Sequence, residues 1–274
     1  MTLLVSWLAV DTHGPSAAYL TSDSRISWGD RSNFDYGRKV FAFNNSPDII
    51  GYCGDVLFPS IVLSQIVEME NCGLLFKEEY TSKQKFEVIK EILVQSFLKY
   101  PNEVNGITSD VLQVVYISRE ASDNKKFFCH LIEWSRGKGW RGQEVPLPKK
   151  SDLLLVLGSG RVEFLKNYKQ YQEGINQNTS RNVFHCFTDT LFNIKDKHCG
   201  GAPQLVGIYR KPNSSAKRFG IIKNKKRYLF GAQIDKLTNF DNIEWRNDLF
   251  ELCDGNTMKK KDIAQSQPNE LKKY

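Results

Sequence analysis

The sequence predicts an α+β fold in which two antiparallel β-sheets stack between two helical layers, a four-layer αββα sandwich. Stretches with strand composition and stretches with helical periodicity follow one another as strands, two helices, strands, two helices and strands. No internal repeat or linker divides residues 1–232. With 274 residues, 41% of them hydrophobic, the chain can bury the core that such a layered domain needs.

The first half of the chain alternates apolar runs with turn residues. Strands are predicted at 2–10, 17–22, 39–43 and 49–54, and the first two are joined by the turn residues of 11–16 as an antiparallel hairpin. Residues 28–38 have the composition of a loop. Apolar residues at helical spacing then predict helices at 55–70 and 82–100, with Ser82 as N-cap and Pro101 ending the second.

The second half repeats the pattern. Strands are predicted at 111–117, 126–134 and 152–157, helices at 162–173 and 180–196, further strands at 203–210, 218–222 and 227–232, and a last short helix at 238–253. The run at 152–157 is almost continuously apolar, which is typical of a strand buried on both faces. The Gly- and Arg-rich residues 136–142 favour a hairpin turn over a phosphate or nucleic-acid loop, because neither GxxxxGK[ST] nor GxGxxG spacing is present.

Domain boundaries follow from these elements. We expect a domain over residues 1–232, a short extension at 233–256 packed on it, and a basic, flexible tail at 257–274. Part of the net charge of +7 lies in that tail. A basic tail can bind nucleic acid or anionic lipid, but the weak patterning favours a solubilising role. We therefore expect neither nucleic acid nor a membrane as partner.

The cysteines and histidines give no sign of a metal or cofactor. The six cysteines are scattered without a CxxC pair, and the four histidines lack a spacing such as HExxH. Reduced thiols fit a cytoplasmic protein best. The N-terminal apolar run is too short to span a membrane and lacks the basic segment and cleavage site of a signal peptide.

Position 2 carries a hydroxyl amino acid at the head of the first predicted strand. If Met1 is removed, Thr2 holds a hydroxyl nucleophile and a free α-amine in one residue. An α-amine with an ordinary pKa of about 8 can act as the base for that hydroxyl. Threonine is also an ordinary residue at position 2, so this interpretation depends on the residues that follow.

Five further features follow Thr2 in a fixed order. They are Asp23-Ser24-Arg25 after the second strand, Lys39 sixteen residues beyond Asp23, Gly54 at the end of the fourth strand, Gly158-Ser159-Gly160 after the apolar strand, and Asp196-Lys197-His198-Cys199-Gly200-Gly201. Over about 210 residues, this arrangement resembles the β-type subunits of the proteasome and the bacterial proteasome-like heat-shock peptidase. The resemblance implies an N-terminal nucleophile hydrolase with an αββα sandwich.

The resemblance also implies roles for the residues around Thr2. Lys39 would supply a positive field and a donor to the Thr2 hydroxyl, Asp23 would pair with Lys39, and Arg25 would support the loops around that pair. Each residue has a structural alternative as well. Asp23 and Arg25 could form a salt bridge within a turn, and Lys39 could be a solvated strand end.

The later motifs would hold the amine and the oxyanion. Ser159 and Asp196 would bind the α-amine, which passes its proton to the leaving group. Cys199 stands where the family has serine, so its weaker thiol donor would have a supporting role. The Gly54 amide would form the oxyanion hole, with Gly51 as the alternative. The Gly-Ser-Gly stretch could also serve only as a tight turn.

The substrate pocket beside Thr2 would be lined by Ile26, Ser27, Gly37 and Tyr52, of which Ile26 and Tyr52 suggest an apolar preference. The first hairpin departs from the family pattern, since its turn at 11–16 makes it about five residues longer than is usual.

Two classes of function remain open. The first is a threonine-type peptide or amide hydrolase that forms an acyl-enzyme and acts on a peptide, a protein or a small amide. The second is a catalytically silent, proteasome-like scaffold for assembly or binding. The resemblance implies a homo-oligomer, with a ring as one form. Because the sequence has no ATPase motif, any ATPase or regulator would be a separate protein.

Overall fold

The structure is a computed structural model that describes residues 2–29, 32–101, 111–235 and 239–264. Met1 and the last ten residues of the predicted basic tail, 265–274, lie outside these ranges. Within them the chain is α+β, with four helices and mainly antiparallel strands, so the predicted fold class is confirmed at this level.

Six strands open the described chain: β1 (Leu4–Asp11), β2 (Gly14–Ser22), β3 (Ile26–Trp28), β4 (Ser32–Phe34), β5 (Val40–Ala42) and β6 (Asp48–Cys53). β3 and β4 form a small hairpin, with Ile26 opposite Phe34, which overlaps the stretch predicted as loop at 28–38. These strands have only three residues each and carry no buried face, so the sequence lacks the alternation that marks a strand.

Two helices follow, α1 (Leu57–Asn71) and α2 (Ser82–Lys99). The N-cap of α2 is Thr81, so the prediction of Ser82 was wrong by one residue. The Thr81 hydroxyl accepts a hydrogen bond from the Gln84 amide, and the Gln84 side chain accepts one from the Thr81 amide. This reciprocal capping box satisfies two amides of the first turn.

The next elements are β7 (Val111–Arg119), β8 (Phe127–Ser135), β9 (Gly139–Glu144), β10 (Asp152–Leu157), α3 (Arg161–Tyr171) and α4 (Ser180–Asn193). The Gly- and Arg-rich stretch forms a turn at 136–138 and then runs into β9, which returns antiparallel to β8.

The last six strands are β11 (Gln204–Tyr209), β12 (Lys217–Lys223), β13 (Lys226–Leu229), β14 (Ala232–Gln233), β15 (Glu244–Asn247) and β16 (Leu252–Cys253). The helix predicted at 238–253 was wrong, because β15 pairs in parallel with β12 and antiparallel with β16. This pairing buries Trp245, whose indole donates to the carbonyl of Phe240. Long-range sheet pairing thus overrides the local helical pattern.

The strands form two large sheets. The nine-stranded sheet runs β10-β1-β2-β11-β12-β13-β14, with β15 beside β12 and β16 beside β15. The five-stranded sheet runs β5-β6-β7-β8-β9. The β1–β2 hairpin therefore lies inside the larger sheet, between β10 and β11.

Apolar clusters connect these parts. Phe58 of α1 and Phe86 of α2 pack with Ile50 of the five-stranded sheet. Phe164 of α3 and Phe184 of α4 belong to a second cluster, on the nine-stranded sheet. The buried side chains of a third cluster come from both sheets, and among them are Leu4, Leu20, Val206, Val40, Ile49 and Val115. Each helical pair thus packs on one sheet, and the two sheets contact each other.

None of the helices in the described ranges has the length and apolar character needed to cross a membrane.

Candidate active site

Thr2 lies at the head of β1, with its side chain buried against two charged groups. Its hydroxyl donates to Asp23 Oδ1 at 2.8 Å and accepts a short hydrogen bond from Lys39 Nζ. Register explains this meeting, because β1 and β2 are antiparallel with Leu4 opposite Ser22. The Asp23 amide then donates to the Leu3 carbonyl at 3.2 Å, which holds Asp23 beside the chain start.

The Asp23 carboxylate is fully buried and accepts five hydrogen bonds. Oδ1 accepts from the Thr2 hydroxyl, from the Leu3 amide at 3.1 Å and from Lys39 Nζ at 2.8 Å. Oδ2 accepts from the amides of Arg25 at 3.2 Å and Gly200 at 3.1 Å. A buried carboxylate needs such partners, and these fix both of its oxygens.

Lys39 precedes β5 and is 1% exposed, so its ammonium and the Asp23 carboxylate form a buried ion pair. The ammonium contacts the Thr2 hydroxyl oxygen from the same position. In surroundings of low dielectric constant, a cation beside a hydroxyl favours its ionised form. Lys39 is therefore a buried charge and not a solvated strand end.

Arg25 forms its ion pair with Asp35, which the sequence did not indicate as a functional residue. Its Nε and one terminal nitrogen donate to the two Asp35 oxygens at 2.7 and 2.9 Å. These hydrogen bonds raise the pKa of Arg25 and lower that of Asp35. The guanidinium also donates to the carbonyls of Lys197 and Cys199 at 3.0 and 3.3 Å. Arg25 thus connects the base of the β3–β4 hairpin to the 196–201 loop.

The Gly158-Ser159-Gly160 turn, which directly follows β10, contacts the backbone of Thr2. Gly158 has φ +92°, and a Cβ built on it would lie 1.9 Å from the Thr2 carbonyl oxygen, so only glycine fits. The Gly160 amide donates to the same oxygen at 3.3 Å. The Ser159 hydroxyl lies 3.6 Å from Cys199 Sγ, which in turn donates to Asp196 Oδ2 at 3.4 Å.

The charges in this second group are set by burial and hydrogen bonding. Burial raises the pKa of the Cys199 thiol well above its usual range, and the nearby Asp23 charge raises it further, so the thiol is neutral. Burial also acts to raise the pKa of Asp196. Hydrogen bonds from Ser159, the His198 amide and Cys199 outweigh it, so the pKa of Asp196 is lowered. Asp196 is therefore an ionised acceptor beside a weak thiol donor.

The two glycines proposed for the oxyanion hole occupy different positions. Gly54 follows β6, has φ +105°, and a Cβ there would lie 2.1 Å from the Val111 carbonyl oxygen. Gly51 is fully enclosed inside β6, between Val40 and Val115 of the neighbouring strands. Of the two, only Gly54 lies outside the strand.

The four predicted pocket residues separate into two groups. Ile26, at the start of the β3–β4 hairpin, lies so close to Gly37 that a Cβ on Gly37 would be 2.4 Å from its side chain. Ser27 continues the same strand. Tyr52 is instead 1% exposed, packs in the cluster beneath α1 and α2, and donates its hydroxyl to the Arg38 carbonyl at 3.0 Å.

Gln204 is a buried residue that sequence reasoning missed. Its side chain contacts the backbone at Asp23, Gly37 and Lys39. The only signal in the sequence is a polar residue at the start of an apolar strand, which is too common to indicate a site.

No group of three or more His, Cys, Asp or Glu side chains in the described part of the chain is arranged to hold a metal ion. The six cysteines, all within that part, are free thiols.

Comparison with known proteins finds similarity in structure alone. No protein-family model matches the chain, and no curated protein matches its sequence. Among solved structures, it is similar to Anbu (ancestral beta-subunit) from Yersinia bercovieri, with a TM-score of 0.53, 10% identity, and coverage of 79% of this chain and 86% of that one. It is also similar to a Gly-1 mutant of Anbu from Hyphomicrobium sp. strain MC1, with a TM-score of 0.53, 11% identity, and coverage of 80% and 87%.

A third similar structure is the helical assembly of the Anbu complex from Pseudomonas aeruginosa, with a TM-score of 0.53, 11% identity, and coverage of 75% and 81%. At these identities the likeness shows the fold. The chain therefore shares the fold of these Anbu structures, and its chemistry must be argued from its own residues.

Proposed function

We propose that this protein is a threonine-type amide-bond hydrolase that acts on peptides through an acyl-enzyme intermediate. Thr2 is the nucleophile once Met1 has been removed. The observation that carries the proposal is the contact of the Thr2 hydroxyl with both Asp23 and Lys39, in a buried site. A solvated strand end or a turn salt bridge would not bring these three side chains together.

The mechanism follows from the charges. Lys39 stabilises the ionised Thr2 oxygen as it attacks the amide carbonyl, and Asp23 keeps Lys39 in position and charged. The free α-amine of processed Thr2 takes the hydroxyl proton and passes it to the leaving amine. Ser159 and Asp196 orient that amine, and neutral Cys199 supports Asp196 by its hydrogen bond.

The developing oxyanion is assigned to the Gly54 amide, which follows β6. Loss of one oxyanion donor typically costs about 10²–10³ in rate. Arg25, paired with Asp35, holds the hairpin base and the 196–201 loop around the reacting group.

Substrate preference is assigned to the β3–β4 hairpin. Ile26, Ser27 and Gly37 lie at its base, where Phe34 is exposed opposite Ile26, and Trp28 is exposed at the far end of β3. This composition favours apolar or aromatic substrate side chains. Tyr52 would act indirectly, through its hydrogen bond to the Arg38 carbonyl.

A non-catalytic scaffold is the second candidate, and one observation favours it. Thr2 is only 2% exposed, whereas catalysis requires substrate to reach its hydroxyl. Against it, a scaffold has no need of a lysine ammonium in contact with a buried hydroxyl.

The cluster contacts support the four-layer αββα order, with 1–232 as the hydrolase domain and 233–256 packed on it through β15.

We infer a homo-oligomer, with a ring as one form, since the similar Pseudomonas aeruginosa protein forms a helical assembly. The exposed apolar residues Leu57, Ile61 and Met69 on α1 support such contacts. A cytoplasmic setting suits the six free thiols. A separate ATPase or regulator would supply any unfolding activity.

The experiment compares hydrolysis of fluorogenic peptides by the wild type, Thr2→Ser and Thr2→Ala. Serine keeps the hydroxyl and should retain measurable activity, whereas alanine should abolish it. Equal activity in all three would remove Thr2 from the mechanism. A processed, folded and oligomeric wild type that hydrolyses no peptide would favour the scaffold. Light scattering after size exclusion measures the assembly state in the same samples.

A further inference from the structure

Gln204, the first residue of β11, is fully buried, and its carboxamide bonds only to backbone groups. Its Nε2 donates to the carbonyl oxygens of Asp23 at 3.0 Å and Gly37 at 2.8 Å. Its Oε1 accepts from the Lys39 amide at 3.0 Å. The carboxamide therefore makes three hydrogen bonds to backbone groups, two as a donor and one as an acceptor.

The three partners belong to the two segments that carry the buried ion pair. Asp23 directly follows β2, while Gly37 and Lys39 belong to the segment that leads into β5. β11 pairs with β2 through its own backbone, with Gln204 opposite Ser22, so the side chain is not needed for that pairing. The carboxamide instead connects the end of β2 in the nine-stranded sheet to the segment before β5 in the five-stranded sheet.

Only a carboxamide of this length satisfies the site. Glutamate would place oxygens against the Asp23 and Gly37 carbonyls, where two donors are needed. Methionine has a similar length but no donor, and it would leave two carbonyls and one amide unpaired. The chemistry of the site therefore selects glutamine for its hydrogen bonds and not for its volume.

We propose that Gln204 is a positioning residue that sets the distance between Lys39 Nζ, Asp23 and the Thr2 hydroxyl. The proposal rests on the proposed hydrolase function. Rates of enzymatic reactions are sensitive to such distances, since a misplacement of about 1 Å can cost on the order of 10²-fold. Loss of Gln204 should lower the rate of Thr2 acylation and leave substrate binding nearly unchanged.

The experiment uses the full-length chain and three variants. Gln204→Met removes all three hydrogen bonds, and Gln204→Glu keeps an acceptor for the Lys39 amide. Tyr116→Phe is the matched control, since it removes a buried hydrogen bond to Asp48 on the five-stranded sheet. Thermal unfolding gives the loss of stability for each. Acylation is followed as the rate of Thr2 labelling by an electrophilic peptide. The labelling rate is measured against peptide concentration, so that the half-saturating concentration reports binding and the maximal rate reports reaction.

We expect Gln204→Met to lower the maximal labelling rate about 10- to 100-fold, with the half-saturating concentration within about threefold of the wild type. Tyr116→Phe should also lose stability but label at the wild-type rate. Gln204→Glu should recover rate relative to the wild type as the pH falls, because a protonated carboxyl regains one donor. A folded Gln204→Met that labels at the wild-type rate, or a Tyr116→Phe that slows equally, would overturn the proposal.

A second measurement separates this proposal from the hydrolase proposal. The ¹⁵N chemical shift of the Lys39 side-chain amine reports its contacts with Asp23 and Thr2 whether or not the protein is an enzyme. If the wild type neither labels nor hydrolyses, the hydrolase proposal fails. The positioning claim then stands if Gln204→Met shifts the Lys39 signal and Tyr116→Phe does not, and it fails if neither variant shifts it.

Discussion

The buried pair of Asp23 and Lys39 predicts unequal losses of stability when either partner is removed. In Lys39→Met, the Asp23 carboxylate keeps four of its five donors, the Thr2 hydroxyl and three backbone amides. The variant loses the Lys39 hydrogen bonds to Asp23 and to the Thr2 hydroxyl. Loss of the bond to the carboxylate should dominate the cost, at about 1.5–3 kcal/mol. Asp23→Asn instead leaves the Lys39 charge unpaired and replaces one acceptor oxygen with a donor. Its cost should be about 3–5 kcal/mol.

Urea unfolding of the two variants measures this difference without any assay of activity. Lys85→Met is the matched control, because Lys85 and Asp48 form a second buried pair, at 2.9 Å and remote from Thr2. It should destabilise the fold and leave Thr2 labelling at the wild-type rate. If Lys39→Met costs as much as Asp23→Asn, the five-donor account of Asp23 is wrong.

Three further predictions test other parts of the site. Cys199→Ser should label at Thr2 within about threefold of the wild type, because a hydroxyl is the better donor to Asp196; abolished labelling would identify the thiol as the reacting group. The lowered pKa of Asp196 contributes stability that is present above an unfolded pKa of about 4 and is lost as the pH falls through the folded value. Unfolding measured across this range should therefore depend less on pH in Asp196→Asn than in the wild type. Gly54→Ala should cost at least about 1 kcal/mol more than Gly73→Ala in chemical unfolding. Both glycines have positive φ, but only the Gly54 Cβ would meet backbone, and equal costs would contradict this.

Much of the fold could be predicted because the signals are local. The apolar run at 152–157 and the helical spacing around Phe86 lie within single elements, and the observed bounds of β10 and α2 agree with them to within one residue. β15 could not be predicted in this way. Its pairing partner β12 is more than twenty residues earlier in the chain, and local propensity contains no information about that contact.

The residues of the site also divide into those that the sequence predicts and those that it does not. The meeting of Asp23 and Lys39 is implied by the resemblance to the proteasome-like pattern, in which a lysine follows the aspartate by sixteen residues. Asp35 and Gln204 gave no such signal. Asp35 follows β4 and contacts Arg25 across the base of the β3–β4 hairpin. Gln204 comes from a strand 165 residues beyond Lys39. The Gln204 contacts depend on the sheet order, which residue spacing does not encode. The Arg25–Asp35 pair depends on a hairpin whose three-residue strands carry no alternating pattern.

The central claim is that Thr2 reacts through its own hydroxyl and a free α-amine. The most direct test is intact-mass and N-terminal peptide analysis after treatment with an electrophile that bonds to both groups of an N-terminal threonine. Met1 should be absent, and one adduct should map to Thr2, with no adduct in Thr2→Ala. Quantitative retention of Met1, or an adduct that maps to Cys199 instead, would contradict it.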